Sequence, residues 1–179
     1  MVIYVFYGDH KDIKDELLLR AAEAYSGRDM SGAVVIRPEE GKPFFRDMPL
    51  YFSVSHTDGT WGCLMSDEEV GFDLQMRRPV NHEKIAERFF SAQEAGYIDR
   101  HGADGFFDIW TRKEACVKYH GAGIIKNAKA FSTVCDGKLT GIIDFKGSLC
   151  RVDSFDLTDR VKCAYCRGTE DDQLWVREL

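Results

Sequence analysis

One aspartate stands alone in an apolar segment of the sequence. Residues 70–74 read VGFDL, and Gln75 follows them directly. An isolated ionised carboxylate is very costly to bury, so Asp73 in an interior strand must be hydrogen-bonded, neutralised or bound to a cation. Side chains along a strand repeat every two residues, so Asp73 and Gln75 face the same side. The segment therefore predicts a polar site on one face of a buried strand.

A second set of charged residues lies within residues 104–119, DGFFDIWTRKEACVKY. Apolar residues at helical spacing predict a helix here, and Lys113 falls on the same side as its apolar stripe. Glu114 and Lys118 are one helical turn apart. The same spacing is common in charge pairs that only stabilise the surface of a helix. The helix alone therefore leaves both interpretations open.

The strand acid and the helix acid together suggest a magnesium site. Asp73 and Glu114 would each offer carboxylate oxygens, and waters with ligand phosphates would complete the coordination that Mg2+ prefers. Gln75 would then stand beside the metal, either as a neutral oxygen ligand or as a partner for its waters. A bound cation would also explain how Asp73 can be buried.

Three short features suit an anionic ligand. Lys42 lies in a stiff Gly-Lys-Pro loop, Ser55 and His56 close a strand at a tight turn, and Lys118 can reach whatever Glu114 binds. The Gly-Lys pair lacks the upstream glycine and the following serine or threonine of a phosphate loop. Each feature alone is more often part of a simple turn, so they carry weight only as a set.

The elements that must position these residues follow from apolar periodicity and from turn residues. Asp58-Gly59 between two apolar runs is a strong hairpin signal, and a second turn leads into residues 70–74. We therefore expect an antiparallel meander of three strands over residues 51–74. The strands of this meander are 51–55, 60–65 and 70–74. The other elements predicted in this half are strands at 1–7 and 33–37 and a helix at about 12–25.

After residue 74, helical patterns come first and strands follow. Asn81 is a cap for one helix, and Ser91 with Glu94 forms the capping-box pattern that begins another. The helix at 104–119 is the third. Residues from 128 onward indicate four or five strands separated by turn residues.

The composition excludes several classes of protein. The chain has 179 residues, of which 44% are hydrophobic and 30% charged, as in compact globular proteins. Its net charge of −6 disfavours general binding to nucleic acid or to anionic membranes. The short apolar start fits a strand better than a signal peptide, and no apolar run reaches the roughly 20 residues of a membrane span.

Six cysteines are scattered through apolar segments and do not form a dense disulfide framework. We therefore expect a reduced, cytoplasmic protein. Cys163 and Cys166 have the spacing of a zinc or redox pair, but no second pair and no matching histidines accompany them. Ordinary buried cysteine is the better interpretation of this pair.

Several short motifs, taken in order, resemble the 4'-phosphopantetheinyl transferase superfamily and in particular its larger Sfp-type members. They cover about residues 41–123, and as a set they are specific. The family pattern is a GKP, a strand that ends in Ser-His, a G-x-D strand, and W-x-x-K-E with a lysine four residues after the glutamate. The matching segments are GKP at 41–43, FSVSH at 52–56, VGFDLQ at 70–75, RFFSAQE at 88–94 and WTRKEACVK at 110–118.

The resemblance implies a fold and an activity. The fold would be α+β, with pseudo-twofold duplicated halves, each a small antiparallel sheet packed with a long helix, and an active site in the cleft between them. The halves here would be residues 1–69 and 70–179 of a monomer. The activity would be transfer of 4'-phosphopantetheine from coenzyme A to a serine hydroxyl of an acyl or peptidyl carrier protein, with release of adenosine 3',5'-bisphosphate.

The resemblance also implies roles for the residues that match its motifs. Asp73 and Glu114 would hold Mg2+ against the pyrophosphate, with Gln75 at the position of a third acid in many relatives. Glu114 would be the base for the incoming serine, and Lys118 would steady developing charge. The residues expected to contact coenzyme A are Lys42, Ser55 and His56, which would hold its nucleotide end, together with Lys118 and the motif residue Lys113.

The chain departs from the family pattern in two places. Sfp-type members usually have a longer first half with a basic segment near the 3'-phosphate, whereas this chain has only Lys11, Lys14 and Arg20 there. The strand motif reads D-x-Q instead of D-x-E, which lowers the negative charge of the metal site by one. A protein that binds coenzyme A or a carrier without transfer, or a magnesium-dependent hydrolase of pyrophosphate links, would share these acids.

A carrier-protein surface can be sought among basic and apolar residues near the motifs. Carrier domains of this kind tend to be acidic, so a net-acidic enzyme would need local basic contacts. Arg77 and Arg78 follow the metal strand, and Phe44 and Phe45 follow the Gly-Lys-Pro loop. The alternative is that the arginines are only solvated and the phenylalanines pack in the core.

Overall fold

Two four-stranded sheets form the framework of the protein. The computed structural model describes residues 1–170 and 173–179, which fold into a mixed α/β structure. The first sheet consists of β1 (Val2–Tyr7), β4 (Tyr51–Thr57), β5 (Thr60–Ser66) and β12 (Trp175–Glu178), and the second of β6 (Val70–Met76), β9 (Ile142–Phe145), β10 (Ser148–Asp156) and β11 (Val161–Arg167). The remaining elements are the short pairs β2 (Val35–Ile36) with β3 (Phe44–Phe45) and β7 (Val134–Cys135) with β8 (Lys138–Leu139), and the helices α1 (Lys14–Ser26), α2 (His82–Phe89), α3 (Ala92–Tyr119) and α4 (Ile124–Asn127).

The two sheets differ in how their strands pair. In the first sheet the order is β12-β1-β5-β4, and β12 runs parallel to β1, with Trp175 opposite Val2. The other pairs of this sheet are antiparallel. In the second sheet the order is β6-β11-β10-β9, and all three pairs are antiparallel. The chain therefore crosses from the first sheet to the second at β6 and returns with β12.

The predicted meander is correct for two strands and wrong for the third. β4 and β5 form the expected hairpin, and Gly59 has a φ of 68°, which suits glycine. β6 does not continue this sheet, because β5 already has β1 on one side and β4 on the other. β6 instead pairs with β11 and becomes the edge of the second sheet.

Hydroxyl groups on one face of β4 connect the two sheets. Ser53 Oγ accepts a hydrogen bond from the Phe72 amide at 2.9 Å, and Thr57 Oγ1 accepts one from the Met76 amide at 3.3 Å. Ser55, which lies between them on the same face, also bonds to β6. These side chains satisfy the outer edge of β6, which no further strand covers.

Apolar residues fill the space between the sheets and under each long helix. One cluster lies between the sheets and includes Ile3, Leu64 and Phe72. A second cluster lies between α1 and the first sheet, and a third between α3 and β9 to β11. No helix among the described residues has both the length and the apolar character required to cross a bilayer.

The long helix α3 joins two of the predicted helices. Ser91 and Glu94 form the expected capping box at its start. Gly102, with φ 60° and ψ −142°, interrupts the helix, so the predicted segment at 104–119 begins just after this kink. Downstream, α4 was not predicted, and the described residues after 128 form six strands, of which two are only two residues long.

Gly71 allows α3 to lie directly on β6. A Cβ atom at this position would be 2.0 Å from the carbonyl oxygen of Ala115 and 2.5 Å from the amide of Tyr119. No side chain fits at such distances, so the backbones of strand and helix can meet only if residue 71 is glycine. This contact brings the segment with Glu114 and Lys118 beside Asp73.

Candidate active site

Asp73 is buried but not isolated. Only 2% of its surface is exposed. Its Oδ1 accepts hydrogen bonds from Ser55 Oγ at 2.7 Å and from Lys118 Nζ at 2.8 Å, and its Oδ2 accepts one from Gln75 Nε2 at 3.2 Å. β4, β6 and α3 thus each supply a partner for this carboxylate, which explains how an interior strand can carry it.

Glu114 lies close enough to Asp73 for the two carboxyl groups to interact. The pKa of Glu114 is raised to about 7, first by burial and then by the negative charge of Asp73, while Lys118 opposes the change. Lys118 lies one turn further along α3 and bonds directly to Asp73. The structure therefore brings together the helix acid, the strand acid and the lysine that the sequence singled out.

The two acids fit a magnesium ion by the chemistry of their donor atoms. Carboxylate oxygens are the hard ligands that Mg2+ prefers. A divalent cation would also offset the two causes that raise the pKa of Glu114, which are its burial and the negative charge of Asp73. Gln75 donates through its amide nitrogen to Asp73, so its amide oxygen is left for a metal or a water. The residues present are therefore suited to holding Mg2+.

Lys42 lies beside Asp73's strand but not on its carboxylate. Its Nζ pairs with Glu69 and donates to the Val70 carbonyl at 2.7 Å, at the start of β6. It lines a cleft of about 570 Å3 that Lys118 and Lys126 also line. Lys126 was missed in the sequence because it stands in a short helix with no recognisable motif.

His56 points into a second cleft. Ser55 and His56 are consecutive in β4, so they face opposite sides of the strand. His56 Nε2 is 3.0 Å from Lys14 Nζ, and the pKa of His56 is lowered by burial and then by the positive charge of Lys14. This cleft has a volume of about 590 Å3, and basic residues dominate its charge: Lys11, Lys14 and Arg78 line it, with Asp9 and Asp58 also present.

The two clefts flank Asp73. Lys118, which bonds to one oxygen of Asp73, lines the first cleft. Gln75, which bonds to the other oxygen, lines the second. Both clefts contain lysines beyond those that neutralise Asp73. An elongated anionic ligand could therefore occupy both clefts and pass over Asp73 between them.

Lys113 does not join these residues. Its side chain is fully buried, and its Nζ lies 3.0 Å from a carboxylate oxygen of Glu94 and donates to the Phe131 carbonyl at 2.7 Å. Burial lowers the pKa of Lys113, and Glu94 opposes this change. Because its ammonium group is held inside the core, it cannot also contact a ligand in either cleft.

The four residues suggested for a carrier-protein surface are divided. Arg77 is held by Asp104 at 2.9 Å and Asp156 at 2.6 Å. Arg78 lines the second cleft. Phe45 packs in the core with 2% exposure, whereas Phe44 is 49% exposed. Arg78 and Phe44 are thus the two that are available on the surface.

The chain is similar in sequence to several known 4'-phosphopantetheinyl transferases. The sequence profile of the 4'-phosphopantetheinyl transferase superfamily matches residues 69–166. A 4'-phosphopantetheinyl transferase of Bacillus subtilis is 30% identical over 173 residues, which cover 90% of this chain and 75% of the relative. The 4'-phosphopantetheinyl transferase Sfp of Bacillus subtilis strain 168 is 28% identical with the same coverage of both chains. The 4'-phosphopantetheinyl transferase AcpT of Escherichia coli K12 is 43% identical over 94 residues, about half of each chain.

Proposed function

The chain belongs to the 4'-phosphopantetheinyl transferase superfamily, and on this premise we propose that it transfers 4'-phosphopantetheine from coenzyme A to a serine hydroxyl of an apo carrier protein. The second product is adenosine 3',5'-bisphosphate. The observation that carries the proposal is the buried Asp73, which pairs with Lys118 beside the second acid, Glu114.

The proposed site uses Mg2+ held by Asp73 and Glu114, with Gln75 beside it. When bound, Mg2+ neutralises the charge of the pyrophosphate and polarises its oxygens. Lys118 extends toward the same place and stabilises negative charge that develops on the leaving nucleotide. Serine attack on a pyrophosphate depends mainly on alignment and charge neutralisation, and these residues supply both.

Glu114 is the proposed general base. It would accept the proton of the serine hydroxyl, directly or through a water. Its carboxyl group lies beside Asp73 and Lys118, where the pyrophosphate is proposed to bind. Asp73 remains bonded to three donors and serves as an anchor instead of a proton acceptor.

The two clefts suggest how coenzyme A is held. Ser55 donates a hydrogen bond to Asp73 and so holds it in place. Lys42 and Lys118 line the first cleft, and Lys14 and His56 line the second. In this proposal the nucleotide end, including its 3'-phosphate, lies against these basic residues. Lys14 supplies part of the basic character that the short first half otherwise lacks.

The remaining family features are proposed with the function. In this proposal residues 1–69 and 70–179 are two halves related by pseudo-twofold duplication, with the site in the cleft between them. β12 of the second half then completes the sheet of the first half. The protein acts as a cytoplasmic monomer on an acyl or peptidyl carrier protein. Arg78 and Phe44 are the proposed contacts with the carrier.

The test is to incubate the protein with coenzyme A, Mg2+ and several apo carrier domains and to follow the mass of each carrier. We expect one phosphopantetheine to be added to at least one carrier, and Asp73→Asn to abolish the addition while the protein stays folded. If coenzyme A binds but no carrier gains mass, the protein is a binding protein of this family. If phosphopantetheine is released without an acceptor, the protein is a hydrolase.

A further inference from the structure

Three cysteines from three different elements meet on another side of α3 from the candidate active site. Cys116 lies on α3, Cys150 on β10 and Cys166 on β11, and all three are free thiols with no exposed surface. Their sulfur atoms lie within 4.8 Å of one another. The sequence had drawn attention to Cys163 with Cys166, but residues three apart on a strand face opposite sides. Cys163 accordingly packs between the two sheets, away from this cluster.

A histidine lies next to the group. His120 is one helical turn after Cys116, so both project from the same side of α3. Its ring interacts with the Cys150 sulfur. Its Nε2 is buried and has no hydrogen-bond partner among the residues that the structure describes. A buried ring nitrogen without a partner is costly, and binding to a metal would satisfy it.

A buried positive charge lies next to this group. Arg112 is one helical turn before Cys116 on α3, and its guanidinium donates to the carbonyl groups of Thr140 and Val152. This fixed charge would balance part of the negative charge of metal-bound thiolates.

Three cysteines and one histidine form a common donor set for structural zinc. Tetrahedral zinc with bonds of about 2.3 Å separates its sulfur ligands by about 3.8 Å, so sulfurs within 4.8 Å need to move little to bind it. We propose that Cys116, Cys150, Cys166 and His120 bind a structural zinc ion that fastens the end of α3 to β10 and β11.

Ordinary apolar packing is the alternative, and two other cysteines show what it looks like. Cys63 and Cys163 are each fully buried, and neither belongs to a group of converging metal-ligand atoms among the described residues. Both lie in apolar clusters. The cluster on α3 differs because three thiols from three elements meet within 4.8 Å, and the buried, unpartnered Nε2 of His120 lies one helical turn along α3. The His120 ring lies outside the 4.8 Å group and would turn toward it to complete the tetrahedron.

The site lies close to the proposed active centre without sharing ligands. Cys116 stands between Glu114 and Lys118 in the sequence of α3, on another side of the helix. Zinc would therefore hold this part of α3 against β10 and β11 of the second sheet. The role is structural, because all three sulfur ligands are closed to solvent and no coordination position is left for a substrate.

The first experiment measures metal in the full chain, purified under reducing conditions without a metal-binding tag. We expect about one zinc per chain by mass spectrometry of the elements, and a thiolate-to-cobalt charge-transfer absorption when Co2+ replaces zinc. Removal of zinc from the wild-type protein should lower its melting temperature, and added zinc should restore it. A chain without zinc that also fails to bind added Zn2+ or to give the cobalt spectrum overturns the proposal.

The second experiment assigns the ligands by competition with a chromophoric chelator. Cys150→Ser and His120→Ala should each weaken zinc binding by more than the roughly 10- to 100-fold that follows loss of an outer-shell partner. Cys135→Ser, at an exposed cysteine, and Asp73→Asn, at the proposed magnesium site, should leave it unchanged. Zinc that is lost with Asp73→Asn and kept in Cys150→Ser refutes the assignment. A disulfide among the three cysteines in the freshly purified protein, found by mass mapping, refutes it as well.

Discussion

Two sides of the same helix carry two different kinds of polar group. On one side Glu114 and Lys118, one turn apart, lie beside the carboxylate of Asp73, and Lys118 also lines the first cleft. On another side the buried Cys116 lies within 4.8 Å of sulfur atoms from two strands, and His120, one turn further along, lies beside one of them. The spacing within each pair is identical, so spacing alone does not decide the chemistry.

The strands that meet each side of α3 account for the difference. β6 lies at the edge of its sheet, and β4 supplies hydroxyl groups to it. Oxygen ligands therefore lie together next to the first cleft. β10 and β11 are interior strands, so the groups between them and α3 exclude water. An open oxygen site suits catalysis, whereas a closed sulfur site suits a structural metal.

The largest effect that separates the two sides is expected from Glu114→Gln. Loss of the proposed base and metal ligand should reduce transfer to a carrier protein by roughly 100- to 1,000-fold or more, while zinc content stays unchanged. Single-turnover mass analysis of the carrier measures the rate. Glu87→Gln, at an exposed acid on α2, is the matched control and should retain full activity. Comparable activity in the two variants would show that Glu114 has no role in the reaction.

A third side of α3 is expected to govern stability. Lys113→Met removes the partner of Glu94 and leaves a carboxylate fully buried, which should cost about 3–5 kcal/mol of unfolding free energy. Denaturation in urea measures it, and Lys138→Met at an exposed lysine is the control. A change of less than about 1 kcal/mol, the value of an exposed ion pair, would mean that the pair is not held as described.

The close contact between β6 and α3 can be disrupted by adding one Cβ atom at residue 71. Gly71→Ala places a Cβ 2.0 Å from the Ala115 carbonyl oxygen, so α3 must move away from Asp73. We expect a loss of about 1–3 kcal/mol or more, and a larger fractional loss of transfer than of folded protein. Gly96→Ala, where the nearest atom lies 3.8 Å away, should instead be neutral or slightly stabilising. Equal behaviour of the two variants would refute the role of Gly71.

The pKa of Glu114 predicts how stability depends on pH. Its value in the folded protein, about 7, is above the ordinary 4.5, so the folded state binds the proton more tightly than the unfolded state. The stabilisation that this proton gives to the folded state is fully present below pH 4.5 and is lost as the pH rises from there through about 7. Without Mg2+, the unfolding free energy of the wild type should therefore fall relative to Glu114→Gln by on the order of 1–3 kcal/mol between pH 4.5 and pH 8. A difference that does not vary with pH contradicts the shift.

The smallest effect is expected from Gln75→Glu. A third acid should bind Mg2+ more tightly, so we expect equal or slightly higher transfer rates at a lower Mg2+ concentration. Titration of the rate with Mg2+ measures the change, and Gln93→Glu at an exposed position on α3 is the control. A large loss of activity would instead show that the bond from the Gln75 amide to Asp73 has a role of its own.

Local patterns predicted much of this molecule. The β4–β5 hairpin followed from Asp58-Gly59, and the start of α3 followed from Ser91 and Glu94. The neighbourhood of Asp73 and Lys118 followed from the family motifs, because periodicity alone places each residue on its own element and says nothing about which elements touch. That contact depends on Gly71, whose missing side chain is a signal only when the helix above it is known.

Other features depended on contacts that no local pattern encodes. Pairing of β6 with β11 could not be read from residues 70–74, because the choice was made by which edge of β5 was already occupied. The cysteine cluster was missed because spacing within β11 emphasised Cys163 and Cys166. Cys116 and His120, at helical spacing four apart, were the signal that would have pointed to it.

Addition of β12 to the first sheet has a consequence for the order of folding. β1 pairs with β5 on one side, but its other partner, β12, is synthesised only after every strand of the second sheet. On the ribosome, β1 must therefore wait with one edge unpaired while most of the chain emerges, and unpaired edges favour association with other chains. Closing so long a loop is also slow. The first sheet thus begins to form before the second sheet is synthesised and is completed only after it.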